Sequence, residues 1–130
     1  MATWAMVHLG YVALRQGDQA QAYRLFVQGQ KRFAEGARKI GVAYVMEGMA
    51  SLAVMQNKFD KAVRIFAWAD KTREEIDEHL QPVEQADMDR DFAVIRSHLE
   101  EAMIETSYAA GRTMTMDQAI ALATEDDYAP

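Results

Sequence analysis

Two stretches of the chain match each other at an offset of forty residues, and this self-similarity restricts the fold more than any other feature of the sequence. Residues 10–29 align with residues 50–69. The identical pairs are Ala13 and Ala53, Gln16 and Gln56, Ala22 and Ala62, Arg24 and Arg64, and Phe26 and Phe66. A repeat of this period, with two helical patterns and a short polar break in each unit, is typical of helix pairs stacked into a solenoid. We therefore predict an all-α fold of antiparallel helix-hairpin repeats.

Apolar residues recur at helical spacing in about seven segments of the 130-residue chain, separated by polar residues, glycine or proline. The first four predicted helices cover 2–15, a segment that ends near Glu35 before a stop at Gly36, and then 39–55 and 59–80. The last three cover 82–99, 100–110 before a stop at Gly111, and a segment that follows a capping box of Thr115 and Gln118. We predict one domain, residues 1–130, with repeat one at 2–36, repeat two at 39–80 and C-terminal capping helices at 82–124.

Composition limits the setting in which this chain works. Half of its residues are hydrophobic, which is enough for a buried core, and it has no cysteine. Disulfides, thiolate metal sites and thiol nucleophiles are therefore excluded. No segment approaches the roughly 18 continuous apolar residues of a membrane span, and no basic N-terminal region precedes a cleavage site. We predict a cytoplasmic protein without a membrane partner.

The charge of the chain is divided unevenly along its length. Residues 1–70 carry nine Lys and Arg against five Asp and Glu, whereas residues 71–130 carry five against fifteen. An acidic second half would repel a phosphate backbone. Nucleic acid is therefore not a predicted direct partner.

The spacing of small and aromatic residues within each repeat points to a known family. A small residue in the first helix (Gly10, Ala50) is followed by a turn, then by Ala, Phe and a further small residue (Gly29, Ala69). This order resembles the tetratricopeptide repeat over about residues 2–80. The resemblance implies helix pairs in contact through small residues, with aromatic rings between repeats. The period is forty residues rather than the family's 34, and the proline that usually ends its second helix is missing.

A second resemblance covers the longer pattern from 40–50 through 66–69 and 81–82 to 111–120, which ends in Gly-Arg-Thr-Met-Thr-Met-Asp-Gln-Ala-Ile. It is similar to the C-terminal repeat region of large bacterial transcriptional regulators that join a signalling ATPase module to a LuxR-type DNA-binding domain or a cyclase domain. The resemblance implies a fragment of a larger protein, or a small relative of such a tail. That region has no catalytic residues of its own.

The tetratricopeptide resemblance also implies a ligand surface, because the first helix of each pair lines the concave groove in that family. The matching positions are Trp4, Val7, Tyr11, Leu14 and Arg15 in repeat one, and Tyr44, Glu47, Ser51, Val54 and Met55 in repeat two. The alternative is that Trp4, Tyr11 and Tyr44 pack between helices. Chaperone-binding members clamp a terminal carboxylate with Lys and Asn side chains, and Val7 and Tyr11 stand where the first of these would be, so that particular function is not predicted.

No pattern of catalytic or metal-binding residues accompanies these positions. The three histidines lack a spacing that would place two ligands on one helical face, and the chain has neither a glycine-rich phosphate loop nor a Gly-x-Ser-x-Gly elbow. The carboxylates between Glu84 and Asp91 lie at a helical period and are interpreted as a solvated face. We predict no enzymatic activity, no metal and no cofactor.

Two hypotheses for function follow. The favoured one is a scaffold for protein or peptide partners inside a regulator, in which upstream domains or a second copy of the chain cover the apolar first helix. The alternative is a sensor that binds a small ligand or peptide in the groove near Tyr11, Tyr44 and Glu47.

Overall fold

The computed structural model describes residues 2–125 and confirms the all-α prediction, with seven helices and no strand in that range. The helices are α1 (Thr3–Arg15), α2 (Gln19–Glu35), α3 (Lys39–Met55), α4 (Phe59–Ile76), α5 (Pro82–Arg96), α6 (Glu101–Arg112) and α7 (Met116–Ala123). Repeat one consists of α1 and α2, and repeat two consists of α3 and α4. Helix α1 packs on α2, α2 on α3 and α3 on α4, and α3 also lies beside α1 on one side and α5 on the other.

Phe26 shows how small residues hold repeat one together. Its fully buried ring occupies the space that a Cβ atom would need at Gly10 in α1 and at Gly48 in α3. One ring therefore fills the junction of three helices. Phe66, the equivalent residue of repeat two, is buried to the same extent, and its ring centroid lies 5.3 Å from that of Phe92 in α5. The forty-residue alignment thus pairs two equally buried rings.

The first four helices end in the same way at intervals of twenty residues. The residues with positive φ are Gly17, Ala37, Asn57 and Asp77. In each case the amide of the following residue donates to the carbonyl five positions earlier, at N···O distances of 2.8–3.0 Å. This is the Schellman arrangement, which satisfies carbonyls left over at a helix C-terminus. The predicted stop at Gly36 is the C-cap of α2, but the left-handed residue is Ala37.

The same arrangement corrects one predicted boundary. The fourth helix ends at Ile76 rather than near residue 80, because Asp77 adopts the left-handed conformation. Leu80 consequently lies in the linker before α5, where it is half-buried. The fifth helix likewise ends at Arg96, before Leu99.

The C-terminal helices depart from the hairpin pattern. The helix that packs closely on α4 is α6, whereas α5 approaches α3 and buries only Met88 and Ile95. Gly111, predicted to end a helix, lies inside α6, where its Cα faces the backbone of Arg64. The predicted capping box of Thr115 and Gln118 is confirmed at the start of α7, which packs on α3 and α4.

The first helix has one buried face and one exposed face. Met6, Val7, Gly10, Ala13 and Leu14 are buried. On the other side, Leu9 and Val12 remain 45% and 41% exposed. Among the described helices, none combines the length and the apolar character needed to cross a membrane.

Candidate functional site

Three adjoining cavities form an elongated channel along α3, which we call the inner groove. The floor of the inner groove is α3, one wall is α1, and the other wall is α5 with the linker before it. The first cavity, near the start of α3, has a volume of about 340 Å³. The central cavity measures about 190 Å³ and the third, near the end of α3, about 270 Å³. Tyr44 and Glu84 line both the first and the central cavity, and Tyr11 and Ser51 line both the central and the third, so the cavities adjoin one another.

Aromatic rings make up much of the α1 wall and the nearby floor. Tyr11 stacks on Tyr44 with 4.7 Å between ring centroids and 24° between the planes. Its hydroxyl donates to the Tyr44 carbonyl at 2.6 Å, which holds the stack in place. The rings of Trp4 and His8 lie 5.8 Å and 5.7 Å from that of Tyr44. These contacts present a rigid aromatic surface to the first and central cavities.

A buried ion pair lies under this surface. Arg73 of α4 donates from Nε and Nη2 to the two carboxylate oxygens of Glu47, at 2.6 Å and 2.8 Å. Both side chains are less than a tenth exposed, at 7% for Arg73 and 8% for Glu47. A third donor, Nη1 of Arg73, bonds the carbonyl of Glu78 at 3.1 Å. Arg73 therefore fixes the linker between α4 and α5 to the floor of the inner groove.

The ion pair has two opposing electrostatic consequences. Burial raises the pKa of Glu47 to about 7, although the hydrogen bond and charge of Arg73 act in the opposite direction. Burial alone would lower the pKa of Arg73, but the hydrogen bond and charge of Glu47 raise it. Because an arginine stays cationic at any ordinary pH, the titration of Glu47 decides how the pair responds to pH.

The wall formed by α5 is rich in carboxylates. Asp91 accepts a hydrogen bond of 2.6 Å from the Ser51 hydroxyl, which links α5 to α3. Glu84 accepts from the Gln81 amide at 2.7 Å as part of a capping box at the start of α5. Asp87 is paired with Arg90, one turn further along the helix. These three carboxylates are half-buried and line the inner groove, whereas Asp89 is exposed, so the prediction of a solvated face holds for only part of the segment.

The structure brings most of the predicted groove residues together. The central cavity is lined by Tyr11, Arg15, Tyr44, Glu47 and Ser51. Trp4 lines the first cavity, and Leu14 and Met55 line the third.

Two predicted groove positions belong to the core instead. Val7 is fully buried, and its side chain lies against the Cα of Gly29, so a ligand in the inner groove cannot reach it. Val54 is also buried. The geometry of α1 explains the first correction, because Val7 faces α2 and the interior rather than the channel.

Several residues of the inner groove were not predicted as ligand contacts: Arg73, Leu80, Gln81, Glu84, Asp87 and Asp91. The forty-residue repeat contains the signal for three of them. Continued into a third unit, it takes Tyr44 to Glu84, Glu47 to Asp87 and Ser51 to Asp91. The α5 carboxylates thus occupy the positions that line the groove in repeat two.

A separate cleft of about 440 Å³ lies on the opposite side of α5, between α5 and α6. Asp70 and Tyr108 meet in it, with the tyrosine hydroxyl donating to the carboxylate at 2.6 Å. Across residues 2–125, no group of three or more His, Asp or Glu side chains is arranged to hold a metal ion.

Comparison of the chain with models of protein families, with curated proteins and with solved structures gave no match. The inner groove is therefore the feature from which a function can be inferred.

Proposed function

We propose that this protein is a non-catalytic interaction module that binds a segment of a partner protein in the inner groove. The observation that carries the proposal is the length of the channel. Its floor extends along α3 from Ile40 to Met55, which at 1.5 Å per residue is about 22 Å. An extended peptide advances about 3.3 Å per residue, so about six residues would fit along the floor.

The arrangement of the cavities in a row favours a peptide over a single small molecule. Pockets for drug-sized ligands measure about 300–1,000 Å³; the first cavity, at about 340 Å³, falls within this range, but the central cavity, at about 190 Å³, does not. A row of three modest cavities suits successive side chains of a chain lying along α3. Binding of a small ligand near Tyr11, Tyr44 and Glu47 remains the second candidate, and the mixture of aromatic and charged groups in the central cavity favours it.

We further propose that the helical pairs are tetratricopeptide-like and that the module serves a bacterial transcriptional or signalling regulator in the cytoplasm. Support comes from the order of small and aromatic residues, from Phe26 inserted between Gly10 and Gly48, and from the equivalent burial of Phe66. The channel along the first helices agrees with the concave surface that tetratricopeptide proteins use.

The exposed side of α1 supports a second contact surface. Leu9 and Val12 lie one turn apart there and are 45% and 41% exposed. We propose that a second copy of the chain, or upstream domains of a parent protein, cover this side.

Selection of displayed random dodecapeptides tests the groove proposal. The immobilised wild-type chain is the target, and a Ser51→Tyr variant with a blocked groove is used for counter-selection. Ser51 is equivalent to Tyr11 under the forty-residue offset, and the substitution also removes the hydrogen bond from Ser51 to Asp91. A Gln28→Tyr variant, changed at an exposed position of α2, is the matched control.

The expected result is a set of peptides that bind the wild-type chain and the Gln28→Tyr variant at least tenfold more tightly than the Ser51→Tyr variant. Circular dichroism confirms that both variants fold. Recovery of only those peptides that bind all three proteins equally would refute the groove as a peptide site. A thermal-shift screen of metabolites, repeated on the same variants, tests the small-ligand candidate.

A further inference from the structure

We propose that the first and central cavities of the inner groove receive a cationic side chain, Lys or Arg, of the bound segment, placed between the Tyr11–Tyr44 stack and the carboxylate of Glu84. This inference rests on the proposed function and specifies the chemistry of the partner. It makes the partner a basic peptide segment rather than an acidic or purely apolar one.

Charge complementarity is the first argument. The charged groups around the first cavity are Arg73, Glu78 and Glu84, with His8 and His79 at its edge. Arg73 is already committed to Glu47 and to the Glu78 carbonyl. Among the side chains that line the first cavity, Arg73 contributes one positive charge and Glu78 and Glu84 contribute two negative charges, so this part of the inner groove is negative whether or not Glu47 is ionised. A positively charged ligand group would find an attractive field there.

The field of Glu84 reaches the aromatic floor. Burial raises the pKa of Tyr44, and the charge of Glu84 is the next largest contribution to the rise. For Tyr11, burial again comes first, followed by the charges of Glu47, Tyr44 and Glu84. The two phenol groups that line the central cavity therefore both lie within the influence of these carboxylates.

The aromatic rings provide the second argument. A Lys or Arg head group is attracted to the face of Tyr or Trp within about 6 Å of the ring centroid. Trp4, Tyr11 and Tyr44 form a connected group with centroid separations of 4.7 Å and 5.8 Å. The long apolar stem of Lys or Arg could lie along these rings while its charge approaches Glu84.

The third cavity has a different charge pattern, which gives the site a direction. Arg15 and Arg90 lie there together with Asp87 and Asp91, so positive and negative groups balance. Arg15 also lines the central cavity, so the uncompensated negative charge lies in the first cavity, at the end of the inner groove near the start of α3. A cationic residue of the bound segment is therefore expected at that end only.

The test uses dodecapeptides recovered with wild-type protein and rejected by the Ser51→Tyr variant. Lys and Arg should be enriched at one position of these peptides. For one such peptide, replacement of that residue by Gln should weaken binding at least tenfold in calorimetry. The Glu84→Gln variant should bind the original peptide about fivefold more weakly, yet bind the Gln peptide as the wild type does.

Asp89→Asn is the matched control, because it removes the same charge from the same helix on the side that faces the separate cleft. It should leave affinity unchanged. Gln at position 84 can still accept from the Gln81 amide, so the helix cap is kept.

The outcomes separate the two proposals. Groove-dependent peptides without a preferred cation, or equal effects of Glu84→Gln and Asp89→Asn, would overturn the cationic site and leave the peptide-binding function standing. Failure to obtain any groove-dependent peptide would overturn both.

Discussion

At the scale of single residues, the buried pair of Glu47 and Arg73 is the least expected feature of the core. In repeat one the equivalent positions hold Val7 and Phe33, and both are buried. An apolar pair therefore suffices at these positions of the fold. Buried ion pairs are often no more stabilising than apolar residues of similar volume, whereas loss of one partner leaves an uncompensated charge. The ion pair in repeat two is better explained by its effect on the inner groove, where Arg73 holds the linker before α5 in place and the two side chains contribute charge.

The pair gives a stability prediction. Arg73→Phe should reduce the free energy of unfolding by about 3–5 kcal/mol at pH 8, because the Glu47 carboxylate loses its partner inside the core. The double variant Glu47→Val with Arg73→Phe copies repeat one and should recover most of that loss. Urea denaturation of the three proteins measures both effects. A double variant no more stable than Arg73→Phe would contradict the interpretation.

The same proteins should respond differently to pH. The folded pKa of Glu47 is about 7, above the value of about 4.3 for an unfolded glutamate. The folded state therefore binds more protons than the unfolded state between these values, and stability falls as pH rises through 7. Arg73→Phe should lose less stability at pH 5 than at pH 8, since the carboxyl can then be protonated. The double variant has no Glu47, so its stability should lack the pH dependence that this carboxyl contributes.

At the scale of helices, the Schellman arrangement that ends each of the first four helices suggests a substitution that should stabilise the protein. Ala37 has a φ of 53° where the equivalent Gly17 has 79°. The left-handed conformation strains a residue with a Cβ atom by about 1 kcal/mol, and glycine avoids this strain. Ala37→Gly should therefore raise the free energy of unfolding by about 0.5–1 kcal/mol.

Gly17→Ala is the reciprocal control for this prediction. A Cβ atom there would meet nothing within 4 Å, so only backbone strain would change. The free energy of unfolding of the Gly17→Ala variant should fall by a similar amount. Denaturation curves that move in the same direction for both variants would argue against strain as the cause.

The sequence predicted helices well where a polar break coincides with a Schellman end, as at 15–17 and 55–57. It failed at Ile76 because Leu80 continues the apolar pattern, although Leu80 contributes to the inner groove rather than to the helix. The predicted helix stop at Gly111 is wrong because a glycine can either end a helix or, as here, let the backbone of a neighbouring helix approach closely. The α5 carboxylates were assigned to solvent because a helical period alone does not show whether a charged face borders water or a channel.

The weak attachment of α5 leads to a prediction about dynamics. Only Met88 and Ile95 of this helix are buried, whereas most of α3 is. Local opening needs less free energy where few apolar side chains leave the core. Amide hydrogen exchange followed by NMR should show faster exchange in α5 than in α3 and α4. Equal protection in all three helices would contradict this.

At the scale of the whole molecule, the exposed side of α1 predicts self-association. Sedimentation velocity of the wild-type chain should show a dimer at micromolar concentration, since burial of Leu9 and Val12 removes apolar surface from water. Leu9→Glu should shift the distribution to monomer because it would bury a charge in the contact. The exposed Gln28→Glu change is the control. A wild-type monomer at all concentrations would leave only the parent-protein alternative.

The equal spacing of the helix ends has a consequence for how such a chain can change in length. Each of the first four helices is closed by its own backbone hydrogen bonds. The ends of a hairpin therefore do not depend on the neighbouring repeat, although its core does, because Phe26 packs against Gly48 of α3. Duplication of one helical hairpin between Gly36 and Lys39 would extend the channel by a further helix and add another set of side chains to its wall. A longer or differently charged binding segment could thus be accommodated by copying forty codons, without redesign of the existing core.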